Sequence, residues 1–399
     1  MRTRGLGIST VASAVLLVGT VLVSAPAAAS GTFSDDDGSV HEGAIEAIAA
    51  AGITIGCNPP TNTKYCPDRP VTRAEMATFL ARALDLEVVV PPLPPPPPPP
   101  PTGSAVTFAA AGDLGAETST AAVLGHIGRS EAEFLLALGD LSYNQITPES
   151  SWCSWVRSNL GASLPVQMAV GNHEHDHGSD GSWDKFAQCL PDAMSSTGNY
   201  PAQYFFDLQG TVRMIVVSAG LTIDGHPYTY ESGSADAEWL TAAIRSARTS
   251  GIEWVVVGTH KPCISVGKKS CEPDRHLTDL AVSEGVDLML HGHDHNYQRT
   301  HQLSCISVDS FSPACVSDAD GNHRAGDGTV LVVSAAVRDT SLYAVSGSDS
   351  EAGYFADSMG ANSVDSGAGY VEVTATPDSL IVEFIGVTTN HSDAFEIRK

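Results

Sequence analysis

The sequence predicts a layered α/β fold over most of the chain. Short apolar runs typical of buried strands alternate with stretches of helical periodicity. After residue 328 the pattern is that of β-structure, with a hairpin around the turn at 377–379. Helices are predicted over 118–127, 236–247 and 275–284, and strands over 105–111, 136–138, 165–170, 252–257, 286–290, 329–335, 370–374 and 380–385.

Five of the apolar runs end in the same way, on a glycine together with Asp, Asn or His. In an open α/β sheet, chemistry gathers beyond the carboxyl ends of strands, and glycine allows a sharp turn and a close backbone approach. One such ending is typical of a plain turn, whereas five indicate a shared site. The five segments are Gly112-Asp113-Leu114-Gly115, Gly139-Asp140-Leu141-Ser142-Tyr143, Gly171-Asn172-His173-Glu174, Gly258-Thr259-His260 and His291-Gly292-His293-Asp294-His295.

In order and spacing, these segments resemble the motif blocks of the purple acid phosphatases, a branch of the calcineurin-like metallophosphoesterases. Most metallophosphoesterases have Asp-x-His in the first block, whereas this chain has Asp113-Leu114-Gly115. That block and Tyr143 together indicate the purple branch. The resemblance covers roughly Ala105 to Phe395. It implies an α/β (α+β) fold of two packed β-sheets flanked by helices. The residues before it are expected to form a small helical N-terminal module.

The same resemblance implies a centre of two metal ions with Asp140 bridging them. A ligand set of carboxylates, a phenol, an amide oxygen and imidazoles, without a thiolate, suits iron, zinc or manganese. The implied ligands of Fe(III) are Asp113, Asp140, Tyr143 and His295. The implied ligands of the divalent ion, which is zinc, iron or manganese, are Asp140, Asn172, His260 and His293. These residues are called the seven candidate ligands below.

His173 follows Asn172 and is not an expected ligand. We therefore expect its imidazolium to stabilise the negative transition state, with a purely orienting role as the alternative. Glu174 is expected to fix the protonation of His173.

The group that protonates the leaving group stays unassigned. Many members of the family place a histidine about ten residues after the Val-x-x-His block, whereas the segment from Cys263 to Cys271 has none. Phosphate binding by Lys268 or Lys269 is one alternative. Proton donation by His175 or His177 is another, and all of these side chains could equally be solvated loop residues.

The chain of 399 residues is strongly acidic, with a formal net charge of −25 that becomes −27 without Arg2 and Arg4 of the leader. Such a surface repels nucleic acid and anionic membranes, so neither is an expected partner. An anionic substrate must then be attracted locally, which bound metal cations would do.

Residues 1–29 are predicted to be a secretory signal peptide. Arg2 and Arg4 precede an apolar run over 11–23, and Ala27-Ala28-Ala29 offers a small-residue cleavage site. The run is short for a membrane span and no other segment could span. We therefore expect a secreted protein without a membrane span after cleavage, with an uncleaved anchor as the alternative.

The eight cysteines fit an oxidising compartment, because disulfides persist outside the cytoplasm. Pairing between neighbours is the simplest of about 105 connectivities. Zinc ligation is the alternative, although no Cys-x-x-Cys occurs. The predicted pairs are Cys57 with Cys66, Cys153 with Cys189, Cys263 with Cys271, and Cys305 with Cys315.

Residues 30–90 are predicted to form a small module. A helix ends near Gly52, and Thr72 with Glu75 makes a capping box before an apolar helix face. That face comprises Met76, Phe79, Leu80 and Ala83.

The module resembles a single S-layer homology repeat. The residues that carry the resemblance are Phe33-Ser34-Asp35, Ala50-Ala51-Gly52-Ile53-Thr54 and Thr72-Arg73-Ala74-Glu75. Such repeats commonly attach proteins to cell-wall polymers, often three together, so we expect wall association, with a merely structural module as the alternative. Residues 91–103 are a proline-rich linker that spaces the module from a metallophosphoesterase domain over 104–399. A docking ligand for a proline-binding domain is the alternative to that spacer.

The sequence therefore predicts a secreted dimetal phosphatase whose small-molecule phosphomonoester substrate is attacked by a metal-bound hydroxide. A phosphodiesterase or nucleotidase on the same scaffold is one alternative. A wall-bound binding protein with an inert phosphoesterase domain is another, although the presence of all seven candidate ligands argues against it.

Overall fold

A computed structural model of the chain describes residues 31–58, 61–71, 73–84, 86, 105–272 and 275–399. The chain divides into two compact units, Met1–Pro95 and Pro96–Lys399. The predicted signal peptide (1–29), the linker (91–103) and Thr72 of the capping box lie outside the described residues, as does the side chain of Glu75. Those predictions stay open.

The first unit contains two helices, α1 (Glu42–Ala50) and α2 (Arg73–Ala83). Gly52, with a φ of 69°, follows α1 in the left-handed conformation that commonly ends a helix. Phe33 and Ile45 are buried. The apolar face predicted for α2 is largely exposed, with Met76 at 43% and Leu80 at 52%, because so small a unit offers few partners for burial.

The second unit is built from strands and helices that alternate over its first half. Its helices are α3 (Thr118–Ile127), α4 (Glu149–Leu160), α5 (Trp183–Cys189), α6 (Ala235–Thr249) and α7 (His276–Ser283). Its strands are β1 (Val106–Ala111), β2 (Leu135–Leu138), β3 (Val166–Ala169), β4 (Thr197–Asn199), β5 (Gln203–Leu208), β6 (Val212–Val216), β7 (Thr222–Ile223), β8 (His226–Pro227), β9 (Trp254–Thr259), β10 (Leu288–His291), β11 (Tyr297–Thr300), β12 (Gln302–Leu303), β13 (Val316–Asp318), β14 (Asn322–Arg324), β15 (Val330–Ser334), β16 (Phe355–Met359), β17 (Gly369–Ala375), β18 (Ser379–Gly386) and β19 (Asp393–Arg398). Short 3-10 helices span Pro313–Cys315, Asp339–Ser341 and Ala352–Tyr354.

Most of these strands belong to two large mixed sheets. The first sheet has the order β14-β19-β18-β17-β1-β2-β3, and the second has β16-β11-β15-β10-β9-β6-β5-β4. Strands β1, β2 and β3 are parallel to one another, as are β6, β9, β10 and β15. Parallel neighbours end at the same edge of their sheet, so the five glycine-containing segments, which follow β1, β2, β3, β9 and β10, lie at one edge of each sheet.

The two sheets pack face to face. Phe108 and Leu136 of the first sheet and Val256 of the second belong to one buried cluster. Alternate residues of the same strands, such as Ala109 and Val257, face a second buried cluster that includes helix residues. Because both faces are covered, these strands read as continuous apolar runs in the sequence. The predicted fold class, two packed sheets flanked by helices, is confirmed.

Two segments for which the sequence predicts no helix or strand contain regular structure. Residues 178–204 include α5 and β4, and residues 304–328 include a 3-10 helix, β13 and β14. Their elements are short, so sequence periodicity is weak there. The disulfides join the neighbouring pairs, Cys57–Cys66, Cys153–Cys189, Cys263–Cys271 and Cys305–Cys315. None of the helices in the described ranges has the length and apolar character needed to cross a membrane.

Candidate metal centre

The glycines that accompany the strand ends allow the ends of the two sheets to meet. A Cβ on Gly171 would lie 2.2 Å from Asp140 Oδ1. A Cβ on Gly292 would lie 2.5 Å from the Leu138 carbonyl oxygen and 2.9 Å from Asp113 Oδ2. Side chains at these two positions would push the segments apart. The recurrence of glycine therefore reflects close approach between loops.

Four of the seven candidate ligands have a left-handed backbone. The φ angles are 60° for Asp113, 51° for Asp140, 49° for Tyr143 and 70° for His293. This conformation costs a non-glycine residue on the order of 1–3 kcal/mol, so the surrounding fold must impose it. Strain of this kind clusters at functional sites, and here it turns each side chain back over the end of its strand.

Tyr143 lies among the oxygen donors. Its Oη is 2.7 Å from Asp113 Oδ1, 3.2 Å from Asp140 Oδ2 and 3.1 Å from His295 Nε2. His295 Nε2 is in turn 3.1 Å from Asp113 Oδ1. Burial, together with the neighbouring carboxylates of Asp113 and Asp140, raises the pKa of Tyr143, so the phenol keeps its proton and donates it to Asp113.

His260 joins these donors to the amide of Asn172. Its Nδ1 donates to the Leu138 carbonyl oxygen at 2.7 Å, which directs Nε2 toward Asp140 Oδ2 at 3.2 Å and Asn172 Oδ1 at 3.1 Å. Donor atoms of Asp140, His260 and His293 lie within 4.8 Å of one another. The structure therefore brings all seven candidate ligands together.

Acceptors outside the centre determine which nitrogen of the other two histidines faces inward. His295 Nδ1 donates to the Ser341 carbonyl oxygen at 3.0 Å, which leaves Nε2 for the centre. His293 Nε2 is 3.0 Å from Glu272 Oε2, which leaves Nδ1 for the centre. Metal-binding histidines almost always have such a partner on the second nitrogen.

The residues of the cluster fit a pair of metal cations. Asp113 and Asp140 are almost completely buried, and their ion pairs among the described residues are with His173, His260 and His295 only. Burial opposes a charge on His260, but the carboxylates of Asp140 and Asp113 outweigh it and raise its pKa to about 9. Buried carboxylates need a cation, and this oxygen and imidazole donor set suits hard or borderline metals.

His173 lies beside the cluster and faces solvent in part, with 32% of its side chain exposed. Its backbone N–H donates to Asp140 Oδ1 at 2.9 Å. Its ring Nδ1 is hydrogen-bonded to the carboxylate of Asp180, and its Nε2 is 3.6 Å from Asp140 Oδ2. The ring centre is 4.5 Å from that of Tyr143. Asp180 therefore orients the His173 ring so that Nε2 faces the centre.

The expectation that Glu174 fixes the protonation of His173 is wrong. The carboxylate of Glu174 is buried and accepts backbone N–H groups of Gly171 at 2.7 Å, Asp140 at 2.9 Å and Leu141 at 3.3 Å. It ties two strand-end turns together from inside the protein. The side chain is directed to these buried backbone donors, which need an acceptor.

Sequence reasoning missed Asp180 and Arg338. Arg338 is buried, its Nε donates to the Asp113 carbonyl oxygen at 2.9 Å, and its guanidinium carbon is 3.9 Å from the centre of the Tyr143 ring. Arg338 follows the predicted strand over 329–335, and this position at a strand end was the signal that could have found it. Nothing local distinguishes Asp180 from other loop residues.

The alternatives for a leaving-group acid remain open. His175 is half-buried, and burial lowers its pKa. Its ring centre is 5.5 Å from that of His177. Lys268 and Lys269 lie in a different loop, which closes on the Cys263–Cys271 disulfide.

Residues 106–297 match the family model described as calcineurin-like phosphoesterase. "Purple acid phosphatase 21" of Arabidopsis thaliana is 30% identical over 234 residues, which are 55% of this chain and 51% of that protein. An uncharacterized protein of Mycobacterium tuberculosis is 30% identical over 224 residues, which are 50% of this chain and 41% of that protein. The chain spans about half the length of the curated relatives it matches.

Among solved structures, the purple acid phosphatase PPD1 from yellow lupin (Lupinus luteus) seeds superposes with a TM-score of 0.58 at 19% identity. The superposition covers 76% of this chain and 55% of that one, and it shows a shared fold. Residues 106–297 are therefore similar to calcineurin-like phosphoesterases. The curated relatives that the chain matches include purple acid phosphatases.

Proposed function

We propose that the chain is a secreted dimetal phosphatase that hydrolyses small-molecule phosphomonoesters. The observation that carries the proposal is the meeting of the seven candidate ligands from the strand ends of both sheets. Six of them lie at hydrogen-bonding distance from another candidate ligand, and His293 lies within 4.8 Å of Asp140 and His260. The homology to purple acid phosphatases supports the same reading.

The donors divide into two groups that share Asp140. Asp113, Tyr143 and His295 lie on one side and would hold Fe(III), because a phenol is a suitable ligand for a hard, highly charged ion. The group on the other side would hold zinc, iron or manganese as the divalent ion, and its members are Asn172, His260 and His293. When bound, two such ions provide Lewis acidity and an activated nucleophile for in-line displacement at phosphorus.

The chain itself supplies charge and orientation around the reacting phosphate. His173 Nε2 faces the centre from the partly solvent-exposed side, where an imidazolium would stabilise the negative charge that develops on the phosphoryl oxygens. Asp180 accepts a hydrogen bond from Nδ1 and so holds the ring in this orientation. The Arg338 guanidinium over the Tyr143 ring favours a phenolate once a cation is bound.

The same centre could serve a phosphodiesterase or a nucleotidase, and the donor set does not separate these from a monoesterase. A wall-bound protein with an inert phosphoesterase domain would be expected to have lost one or more ligands. The complete set and the oriented His173 favour catalysis over inertness.

The first unit is proposed to be an S-layer homology repeat that associates with cell-wall polymer after secretion. Asp35 accepts the N–H groups of Tyr65 at 2.7 Å and Cys66 at 2.9 Å, so part of the repeat-like motif holds the disulfide-closed loop. A groove of about 610 Å³ beside that loop is lined in part by Tyr65, Arg69 and Phe79. An aromatic and cationic lining suits an anionic saccharide polymer.

The experiment that tests the proposal combines metal analysis with a substrate panel on the same purified protein. We expect close to two metal ions per chain, one of them iron, and turnover of aromatic and aliphatic monoesters well above that of matched diesters. Preferred turnover of diesters would replace the proposal with the phosphodiesterase alternative. Two bound metals without turnover of any ester would support the inert binding protein.

A further inference from the structure

Positive charge is concentrated on one loop beside the candidate metal centre. The chain has six lysines, and Lys261, Lys268 and Lys269 are three of them. The loop between Cys263 and Cys271 carries two of the three. In a chain with a formal net charge of −25, this clustering of half of the lysines is a local concentration of positive charge. It would attract an anion to that side of the centre.

The loop is fixed to the segment that holds the candidate ligands. Asp294, between His293 and His295 in sequence, is buried and accepts the backbone N–H of Lys268 at 3.2 Å and of Lys269 at 3.4 Å. A Cβ on Gly267 would lie 2.1 Å from Asp294 Oδ2, so only glycine permits this approach. The loop is therefore pre-organised with respect to the centre.

The three lysines differ in how their charge is compensated. Lys261 Nζ and Lys269 Nζ are each 3.6 Å from a carboxylate oxygen of Glu272. Lys268 has no ion pair with a carboxylate among the described residues, and its Nζ lies 4.3 Å from the centre of the Tyr343 ring. An aromatic face attracts an ammonium without neutralising it. The Lys268 ammonium can therefore contact a further anionic partner.

A series of ring contacts places Lys268 relative to the centre. The Tyr343 ring stacks on His295 with 4.3 Å between ring centres and an angle of 9° between planes. The His295 ring contacts Tyr143, whose ring contacts His173. The Tyr343 ring thus lies between Lys268 and the candidate ligand His295. The carboxylate of Asp180 lies at the other end of this series of rings, next to His173.

We propose that Lys268 is a specificity-determining residue that binds a second anionic group, a carboxylate or a phosphate, of the substrate whose scissile phosphate occupies the metal centre. The inference rests on the proposed phosphatase function. A substrate with this second group would bind with its anionic end toward Lys268 and away from Asp180. An ester with an uncharged or cationic remainder gains nothing from this contact.

The test compares phosphoserine with phosphoethanolamine, which differ by one carboxylate, and pyrophosphate with orthophosphate as inhibitors. In Lys268→Gln, we expect KM for phosphoserine and the inhibition constant of pyrophosphate to rise about tenfold with kcat unchanged, because a charge-assisted contact is lost. The phosphoethanolamine and orthophosphate constants should change less than about twofold. Lys268→Arg should retain the preference for phosphoserine and pyrophosphate, as should the control Lys399→Gln, whose ammonium pairs with Glu253.

Equal losses with both members of a pair, or no change with either, would overturn the assignment of Lys268. The phosphoserine comparison reports whether Lys268 binds a carboxylate, and the pyrophosphate comparison reports whether it binds a phosphate. If the metal-loaded wild type hydrolysed no ester, the proposed function would fail. Pyrophosphate binding measured by calorimetry on the wild type and on Lys268→Gln would still decide the role of Lys268.

Discussion

The oxygen donors and the nitrogen donors of the candidate metal centre come from different sheets. Strands β1, β2 and β3 of the first sheet lead to Asp113, Asp140 and Asn172, whereas β9 and β10 of the second lead to His260 and to the histidines after Gly292. Neither sheet alone presents a mixed ligand set. The centre therefore exists only where the sandwich is assembled, and carboxylate charge from one sheet is balanced by imidazoles from the other.

The two halves are held in different ways. Asp113, Asp140 and Tyr143 owe their orientation to a left-handed backbone at the strand ends. His260 and His295 owe theirs to carbonyl acceptors on their second nitrogens, supplied by other segments. His293 has both a left-handed backbone and an acceptor on its second nitrogen, the carboxylate of Glu272. The comparison indicates that the oxygen half is specified by its own turns, whereas the nitrogen half depends on distant residues.

The largest effect is expected at the residue shared by both proposed metals. Asp140→Asn should lose most bound metal and nearly all turnover, because the substitution removes the charge that faces both His260 and Tyr143. Metal content by mass spectrometry and turnover of a chromogenic monoester measure it. Asp207→Asn, whose carboxylate pairs with Arg213 away from the centre, is the control. Two retained metals with normal turnover would show that Asp140 is not shared.

His173→Ala should retain both metals while kcat falls about 10²–10⁴-fold, because the residue faces the reacting phosphate and is not placed as a ligand. Asp180→Asn should lower kcat about tenfold through the orientation of His173.

A double variant tests whether these two residues act together. His173→Ala with Asp180→Asn should be no slower than His173→Ala alone, since Asp180 acts through the ring. Asp184→Asn, in the first turn of the neighbouring helix α5, is the control for general disturbance. Additive losses would give Asp180 an independent role, and metal loss in His173→Ala would make His173 a ligand.

Tyr143→Phe tests the oxygen half without removing a carboxylate. Iron-loaded wild type should absorb visible light through charge transfer from a Tyr143 phenolate to Fe(III), and the variant should lose that band. Asp113, Asp140 and His295 would remain to hold the metal, more weakly. Tyr200→Phe, whose hydroxyl donates to the Leu190 carbonyl oxygen, is the control. A colourless but active iron-loaded wild type would contradict the assignment of Tyr143.

The smallest effect is expected at Glu272, which is not a candidate ligand but contacts the candidate ligand His293. Glu272→Gln should weaken binding of the divalent ion about tenfold, because the neutral side chain is a poorer acceptor for His293 Nε2. Competition with a chelator measures the change. Glu284→Gln, which disrupts a surface pair with Arg245, should leave the affinity unchanged. An unchanged affinity in Glu272→Gln would mean that the strand-end turn alone orients His293.

Much of the first half of the second unit was predictable from the sequence. The helix over 118–127 and the hairpin of β17 and β18 agree closely with the structure, because apolar periodicity and turn residues are local signals. Short elements such as α5 and β14 were not predicted. The apolar face predicted for α2 is largely exposed, because burial depends on a partner that periodicity does not report.

The sequence by itself indicated the seven candidate ligands, because five short strand–glycine–polar segments carry the family resemblance that implies them. Only the tertiary structure decided what surrounds them. Arg338 reaches Asp113 across 225 positions of the chain, and Lys268 is placed by contacts with Asp294 and Tyr343. Glu174 turns to buried backbone N–H groups and leaves His173 to Asp180. Such contacts follow from which segments pack together, and packing is a property of the assembled sheets.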